Sequence, residues 1–203
     1  MNHWGPAKEQ LLQLAKTKGF LGGEFLTWLW YKAEYSSKGI KISPPHQEEI
    51  HVTVWVDDRL ALQSVHSATE SLFKGGSPSQ TQEAIHSLLS GKTVKELRLG
   101  LQLEHIGDIT LNLNAKDLTP RQIQLPELAH GEEDPLQIRL QYIEIIKSTL
   151  DQLFALFVKE RIDESWQQEG PKKLKEWVRE KSLKAKDAVY VFPLETEASI
   201  AMH

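Results

Sequence analysis

Residues 20–35 read FLGGEFLTWLWYKAEY and hold two of the six tryptophans and two of the four tyrosines of the chain. Apolar side chains fall on every side of the helical wheel of this segment, which we call the aromatic helix. A helix that is apolar all round is stable in water only when other elements surround it. The segment is therefore predicted to be the central helix of the fold.

Other parts of the chain alternate apolar and polar residues, which predicts strands with one buried face. Asp57-Asp58 is predicted to be a hairpin turn between two of these strands, because Asp is a preferred turn residue. Gly107 is predicted to lie in a second turn. The predicted strands occupy residues 50–56, 60–62, 95–103 and 109–113.

A long helix is predicted to begin at Asp134-Pro135 and to end at Asp163, with an apolar stripe near heptad spacing. Together with the strands, it predicts an α+β fold. The expected architecture is a mostly antiparallel sheet of four or five strands, with the aromatic helix and the long helix packed on one face.

The predicted domain occupies residues 1–165 and includes an amino-terminal helix at residues 6–19. Residues 166–203 are predicted to form a basic helix and a carboxyl-terminal tail, packed on the domain or extending from it. The segment 189–192 of this tail is predicted to add an edge strand.

Composition excludes several classes of protein. The chain has 203 residues, of which 40% are hydrophobic, enough for one substantial core. It contains no cysteine, which excludes disulfides, thiolate zinc sites and a cysteine nucleophile and fits a reducing cytoplasm. It has no basic leader followed by an apolar run and no apolar window long enough for a membrane span, so we expect neither secretion nor membrane insertion.

Charge is unevenly distributed along a chain whose net charge is −4. The segment Pro171–Lys186 holds seven basic residues against two acidic ones and is predicted to form a basic helix after Gly170-Pro171. Its bases recur at near-helical spacing, so one helix side can follow a phosphate backbone without reading bases. A solvated helix face has the same pattern. The candidate DNA-binding residues are Lys172, Lys173, Lys175, Arg179 and Lys74.

Lys74 is included because residues 74–77, Lys-Gly-Gly-Ser, precede a predicted helix. That helix is expected to start at Ser77 or Ser79 and to end at Ser90-Gly91. Free amides at a helix start, with a lysine nearby, attract phosphate. The ordered Walker pattern is absent, however, and a loop followed by a helix cap is the favoured interpretation.

Glu24 is a candidate acid or base, because Trp28 and Tyr31 flank it at helical spacing and an apolar setting raises the pKa of a carboxyl group. The favoured interpretation is structural: a carboxylate in the first turn complements the helix dipole. Asp57 and Asp58, beside Arg59, are candidate ligands of a divalent metal, but a turn is favoured here too. The histidines are too scattered to bind a metal, so neither a metal nor a cofactor is predicted.

Four strings carry a resemblance to a known family: residues 20–31, 56–62, 74–79 and 91–101. They resemble the carboxyl-terminal region of bacterial recombination-associated proteins of the RdgC type, here in a short form. The resemblance covers roughly residues 18–165. It implies a nucleoid-associated, ring-shaped homodimer that binds double-stranded DNA without sequence specificity, restrains a recombinase and has no enzymatic activity.

The leading hypothesis is therefore a non-catalytic DNA-binding, recombination-associated homodimer. A second hypothesis is a protein-interaction or scaffold module that has no nucleic-acid role. A third is a metal-dependent nuclease, which requires Glu24, Asp57 and Asp58 to converge in one concave site.

Overall fold

The computed structural model describes residues 21–36, 38–42, 49–64, 67–104, 106–127 and 134–187. The helix predicted at residues 6–19 and the strand predicted at residues 189–192 lie outside the described residues. The division of the chain at residues 165 and 166 remains a prediction.

The described strands form one six-stranded sheet in which each pair is antiparallel. The strands are β1 (Ile40–Ile42), β2 (Ile50–Ser64), β3 (Glu70–Lys74), β4 (Lys92–Leu103), β5 (Gly107–Asn114) and β6 (Arg121–Gln124). They lie in the order β1-β2-β4-β5-β6, and β3 pairs with the second half of β2. The predicted α+β class with a mostly antiparallel sheet is confirmed, with six strands where four or five were expected.

Strand β2 runs without interruption through Asp57-Asp58, so the turn predicted there is wrong. Val56 pairs with Leu99 and Leu60 pairs with Leu97, which leaves three residues of β2 opposite one residue of β4. Such a bulge bends and twists a strand without ending it. The predicted return strand at residues 60–62 is therefore a continuation of β2, and the strand that returns alongside it is β3.

The described helices are α1 (Gly22–Tyr35), α2 (Gln82–Leu89), α3 (Pro135–Ile162) and α4 (Glu164–Asp187). Helix α1 contains most of the aromatic helix predicted from the sequence. It packs on β2 and β4 of the sheet and buries both Trp28 and Trp30. At its start, a Cβ on Gly22 would come within 1.8 Å of the Ala115 carbonyl oxygen, so only glycine permits this approach to the end of β5.

Helices α3 and α4 both pack against α1. The ring of Phe25 meets that of Phe154 in α3 edge to face, with centroids 5.2 Å apart. Trp30 meets Trp177 in α4 in the same way at 5.5 Å. The predicted central position of the aromatic helix is confirmed.

The predicted inner faces of β4 and β5 are also confirmed, because alternate residues of both strands are buried. Local pairing aligns the two strands over their whole shared length. The buried residues are Leu97, Leu99, Leu101, Leu103, Ile109, Leu111 and Leu113.

The ends of α3 were predicted well. Pro135 is its first residue, and Asp134 caps it by accepting a hydrogen bond from the Leu136 backbone amide at 2.9 Å. The cap of α2 was not. A short 3-10 turn occupies Pro78–Gln80, and Thr81 caps α2 where Ser77 or Ser79 was expected.

Helix α4 begins at Glu164 and passes through Pro171, so the predicted start of the basic helix after Gly170-Pro171 is wrong. Proline removes one helical hydrogen bond and usually kinks or ends a helix. Here Trp177, one turn and a half further on, is buried against α1 and anchors the second half of the helix. Among the described helices, none has the length and apolar content needed to cross a membrane.

Candidate nucleic-acid interface

Helix α4 presents three of the predicted cations to solvent. Lys172, Lys175 and Arg179 are all exposed, and within the described part of the chain none of them forms an ion pair. At 100° per residue they share one side of the helix, away from the buried side that carries Trp177. Apolar packing therefore fixes the helix, and its opposite side is free to meet an anion.

Lys173 differs from these three cations because it is paired. Its Nζ lies 2.8 Å from the carboxylate of Glu169, one turn earlier in α4. The hydrogen bond between the two side chains, and then the attraction of their opposite charges, raise the pKa of Lys173 and lower the pKa of Glu169. Both side chains are exposed, so the pair contributes little to stability and can open for another partner.

Lys181 is a further base of α4, and it is held towards the body of the protein. Its Nζ contacts the Glu34 carboxylate of α1 at 2.7 Å and donates a hydrogen bond to Gln80 at 2.7 Å. The positive side of α4 is thus smaller than the sequence suggests. Among the α4 side chains that the structure describes, its unpaired part consists of Lys172, Lys175 and Arg179.

Lys74 does not lie at a helix start, contrary to the prediction. It is the last residue of β3, pairs in register with Arg59 and is exposed. The chain then turns through two glycines, and the backbone amide of Gly75 donates to the Asp58 carbonyl oxygen at 2.8 Å. Because α2 begins only at Gln82, its free amides are not adjacent to the lysine in sequence.

Glu24 lies in the first turn of α1, as predicted, but its partner is an arginine. Its carboxylate accepts a hydrogen bond from Arg161 Nε at 2.9 Å, and both side chains are exposed. Trp28 does not form a hydrogen bond with Glu24. Its indole N–H donates to Glu160 Oε2 at 2.9 Å, while Lys32 donates to Glu160 Oε1 at 2.9 Å.

Asp57 and Asp58 lie on the bulge of β2, beside Arg98 of β4. Arg98 Nε donates to Asp57 at 3.0 Å and lies 3.7 Å from Asp58. Arg59 Nε lies 2.7 Å from the Glu96 carboxylate, an ion pair whose hydrogen bond is poorly aligned. The three predicted residues therefore belong to charge pairs across the strands.

These pairs continue as a row of polar contacts across the sheet. Arg98 also donates from Nη2 to Thr110 in β5 at 2.8 Å, and Thr110 donates to Gln124 in β6 at 3.0 Å. The row links β2, β4, β5 and β6 on the face opposite the buried leucines. It explains why two aspartates occur in the middle of a strand.

The structure does not assemble the carboxylates that the nuclease hypothesis requires. Glu24 pairs with α3, whereas Asp57 and Asp58 pair with Arg98 on the outer face of the sheet. Within the described ranges, no group of three or more His, Asp or Glu side chains is placed to hold a metal.

Sequence reasoning missed Arg98, Glu160 and Arg161, which bind predicted side chains. Arg98 occurs in a strand that otherwise alternates apolar residues, so its outward direction was predictable but its partner was not. Glu160 is 132 residues from Trp28 in the chain. No local pattern connects residues so far apart.

The chain was compared with models of protein families, with characterised proteins and with solved structures, and no match was found.

Proposed function

We propose that the protein binds double-stranded DNA without sequence specificity and catalyses no reaction, in a role associated with recombination. The observation that carries this proposal is the row of Lys172, Lys175 and Arg179 on one exposed side of α4. Contacts with phosphates need no base recognition, which accounts for the expected lack of specificity. The resemblance to proteins of the RdgC type supports the recombination role.

The dimensions of the row suit a phosphate backbone. Lys172 and Arg179 are seven residues apart, or about 10 Å along a helix that rises 1.5 Å per residue. Phosphates of one DNA strand recur every 3.4 Å along the duplex axis, so the row is about three nucleotides long. The indole of Trp177 anchors the helix on α1, so the backbone that carries the three cations needs little ordering when they bind.

The test is the salt dependence of binding to a duplex of arbitrary sequence, followed by fluorescence anisotropy. Three phosphate contacts give a slope of about −2.7 for log K against log salt concentration. Lys175→Gln should reduce the magnitude of this slope by about 0.9. The triple variant Lys172→Glu, Lys175→Glu, Arg179→Glu should abolish binding.

A matched control changes the net charge equally at exposed sites outside α4. This control is Lys38→Glu, Lys116→Glu, Arg139→Glu. It should retain most of the binding and the slope of the unmodified protein. Equal losses in the two triple variants, or no binding of the unmodified protein at low salt, would contradict the proposal.

We propose that the protein is a homodimer, as the resemblance implies. The slope of about −2.7 and its change of about 0.9 in Lys175→Gln apply to one chain, and a dimer that engages both copies doubles both values. Sedimentation equilibrium should then give twice the chain mass of 23.2 kDa. A single-chain mass at concentrations that saturate DNA would exclude the dimer while leaving DNA binding intact.

A protein-interaction module is the second candidate, and exposed leucines favour it. Leu136 and Leu140 of α3 are 64% and 55% exposed and lie one turn apart on the same side of the helix. Exposed apolar residues in a row are typical of protein contacts. If this candidate is right, the double variant Leu136→Asp, Leu140→Asp no longer binds its protein partner. The triple variant of α4 still binds it.

A further inference from the structure

A cleft of about 400 Å³ lies between α1, α3 and α4, away from the unpaired cations of the proposed DNA-binding side. Tyr31, Leu156 and Trp166 provide its apolar and aromatic surface. Lys159 and Lys173 stand among the groups that line it. Its size falls within the range of pockets that hold small molecules.

Gly170 fixes the aromatic side of the cleft. Trp166 is one helical turn before Gly170, and its indole lies directly on the helix backbone there. A Cβ at position 170 would come within 2.4 Å of the indole ring. The glycine therefore lets the indole lie flat against α4 as a wall of the cleft.

Two acidic residues, Glu160 and Asp163, line the cleft, and both carboxylates are engaged. Asp163 accepts hydrogen bonds from the hydroxyl group and the backbone amide of Ser165. Glu160 is held from α1. One carboxylate oxygen accepts from Trp28 and the other from Lys32. Both donors come from α1, so this group is a fixed and neutralised part of the wall. It therefore opposes the entry of an anion much less than a free carboxylate would.

The cations that remain are available to a ligand. Lys159 is exposed and has no ion pair within the described residues. Lys173 is held by an exposed pair with Glu169. Tyr31, which also lines the cleft, provides a neutral hydroxyl group, since burial raises its pKa, with Lys173 lowering it and Glu160 raising it.

From these contacts we infer that the cleft binds a small organic anion with a flat aromatic ring. The ring packs on Trp166 and Tyr31, and the anionic group is held by Lys159 and Lys173. A nucleoside monophosphate and an aromatic carboxylate share this chemistry. The inference goes beyond DNA binding and does not depend on it.

The test uses NMR spectra of the full chain labelled with ¹⁵N, in which each tryptophan indole N–H gives a separate signal. Adenosine monophosphate, benzoate and inorganic phosphate are added in separate titrations. We expect the first or the second to shift the signal of Trp166, which is assigned by its loss in Trp166→Phe. The signal of Trp55, on the outer face of the sheet, should stay in place and reports that the fold is intact.

Two variants locate the ligand that binds, and isothermal titration calorimetry measures their affinities because Trp166→Leu removes the NMR reporter. Lys159→Gln should weaken its affinity about tenfold, as expected for the loss of a charge-assisted hydrogen bond. Trp166→Leu should weaken it by about tenfold or more through the loss of stacking. Lys147→Gln, an exposed lysine of the same helix outside the cleft, is the matched control and should have no effect.

Three results would overturn the inference. The first is that neither organic anion shifts the Trp166 signal at millimolar concentration. The second is that inorganic phosphate produces the same shift, because the ring would then contribute nothing. The third is that Trp166→Leu and Lys159→Gln bind as well as Lys147→Gln does, since the ligand would then lie elsewhere.

Discussion

Arg98 shows how one residue can decide the roles of its neighbours. Its side chain is only 14% exposed, yet it is charged and lies in the middle of the sheet. A poorly hydrated charge needs a partner, because leaving it unpaired costs several kcal/mol. Asp57 provides that partner. Pairing with Arg98 therefore accounts for the Asp57 carboxylate, which the sequence alone suggested as a metal ligand.

Replacing the two neighbouring aspartates separates pairing from mere proximity. Asp57→Ala should lower the free energy of unfolding by about 1–3 kcal/mol, because Arg98 loses its closest acceptor. Asp58→Ala is the matched control. Asp58 is 61% exposed and 3.7 Å from Arg98, so its loss should change stability by less than about 0.5 kcal/mol. Urea unfolding measures both, and equal losses would show that Asp57 has no special part in the sheet.

At the scale of secondary structure, elements with local signals were predictable from the sequence. Alternating leucines predicted the inner faces of β4 and β5, and Asp134-Pro135 predicted the start of α3. The continuity of β2 through Asp57-Asp58 was not predictable. It depends on β4, which supplies Arg98, and on the backbone amide of Gly75 after β3.

Helix α4 gives the second example of a local signal that distant contacts override. Gly170-Pro171 is a strong helix-breaking pair, yet the helix continues on both sides of it. The rings of Trp30 and Tyr31 in α1 both pack against Trp177.

Of the candidate site, the exposure of Lys172, Lys175 and Arg179 followed from helical spacing, whereas the attachment of Lys181 to Glu34 required the fold.

The junction between α3 and α4 consists of one residue, Asp163. Its carboxylate accepts hydrogen bonds from the Ser165 hydroxyl group and from the Ser165 backbone amide. The hydrogen bond from the Ser165 hydroxyl group has the largest effect and lowers the pKa of Asp163. The backbone amides of Ser165 and Trp166 lower it further. The charged form of Asp163 therefore favours the start of α4.

This lowered pKa gives the junction a defined dependence on pH. The stabilisation is complete above the unfolded pKa of Asp, near 4, and is lost as the pH falls through the lower folded value. Ser165→Ala should raise the pKa of Asp163 towards its ordinary value, as measured by NMR of the side-chain carboxyl carbon. Ser148→Ala, at an exposed serine of α3, should leave it unchanged. An unaltered titration of Asp163 in Ser165→Ala would rule out the hydroxyl group as the main cause.

For the whole molecule, α1 is the element that the sheet and the two long helices share. The sheet, α3 and α4 all pack against it, and α3 also contacts β1. The proposed DNA-binding residues and the cleft both belong to the helices. The net charge of −4 therefore says little about function, because the charges that matter are grouped on one element.

The contact between Trp30 and Trp177 joins parts of the chain that we expect to fold at different times. Strand β2 pairs with strands that all lie between residues 40 and 103, so the centre of the sheet closes short loops. Helix α4 must instead return across most of the chain to reach α1. Contacts of low sequence separation generally form sooner. Helix α4 is therefore expected to dock last and to open first.

Hydrogen exchange of the native protein measures this difference directly. Amides of α4 should exchange through a local opening of lower free energy than amides of β4. Trp177→Ala should speed exchange in α4 and leave β4 nearly unchanged. Identical opening free energies for the two elements would mean that the protein opens only as a whole. If α4 does open first, a ligand that bridges it to α1 or α3 will slow its opening, and occupancy of the cleft will become visible as kinetic protection of the helix.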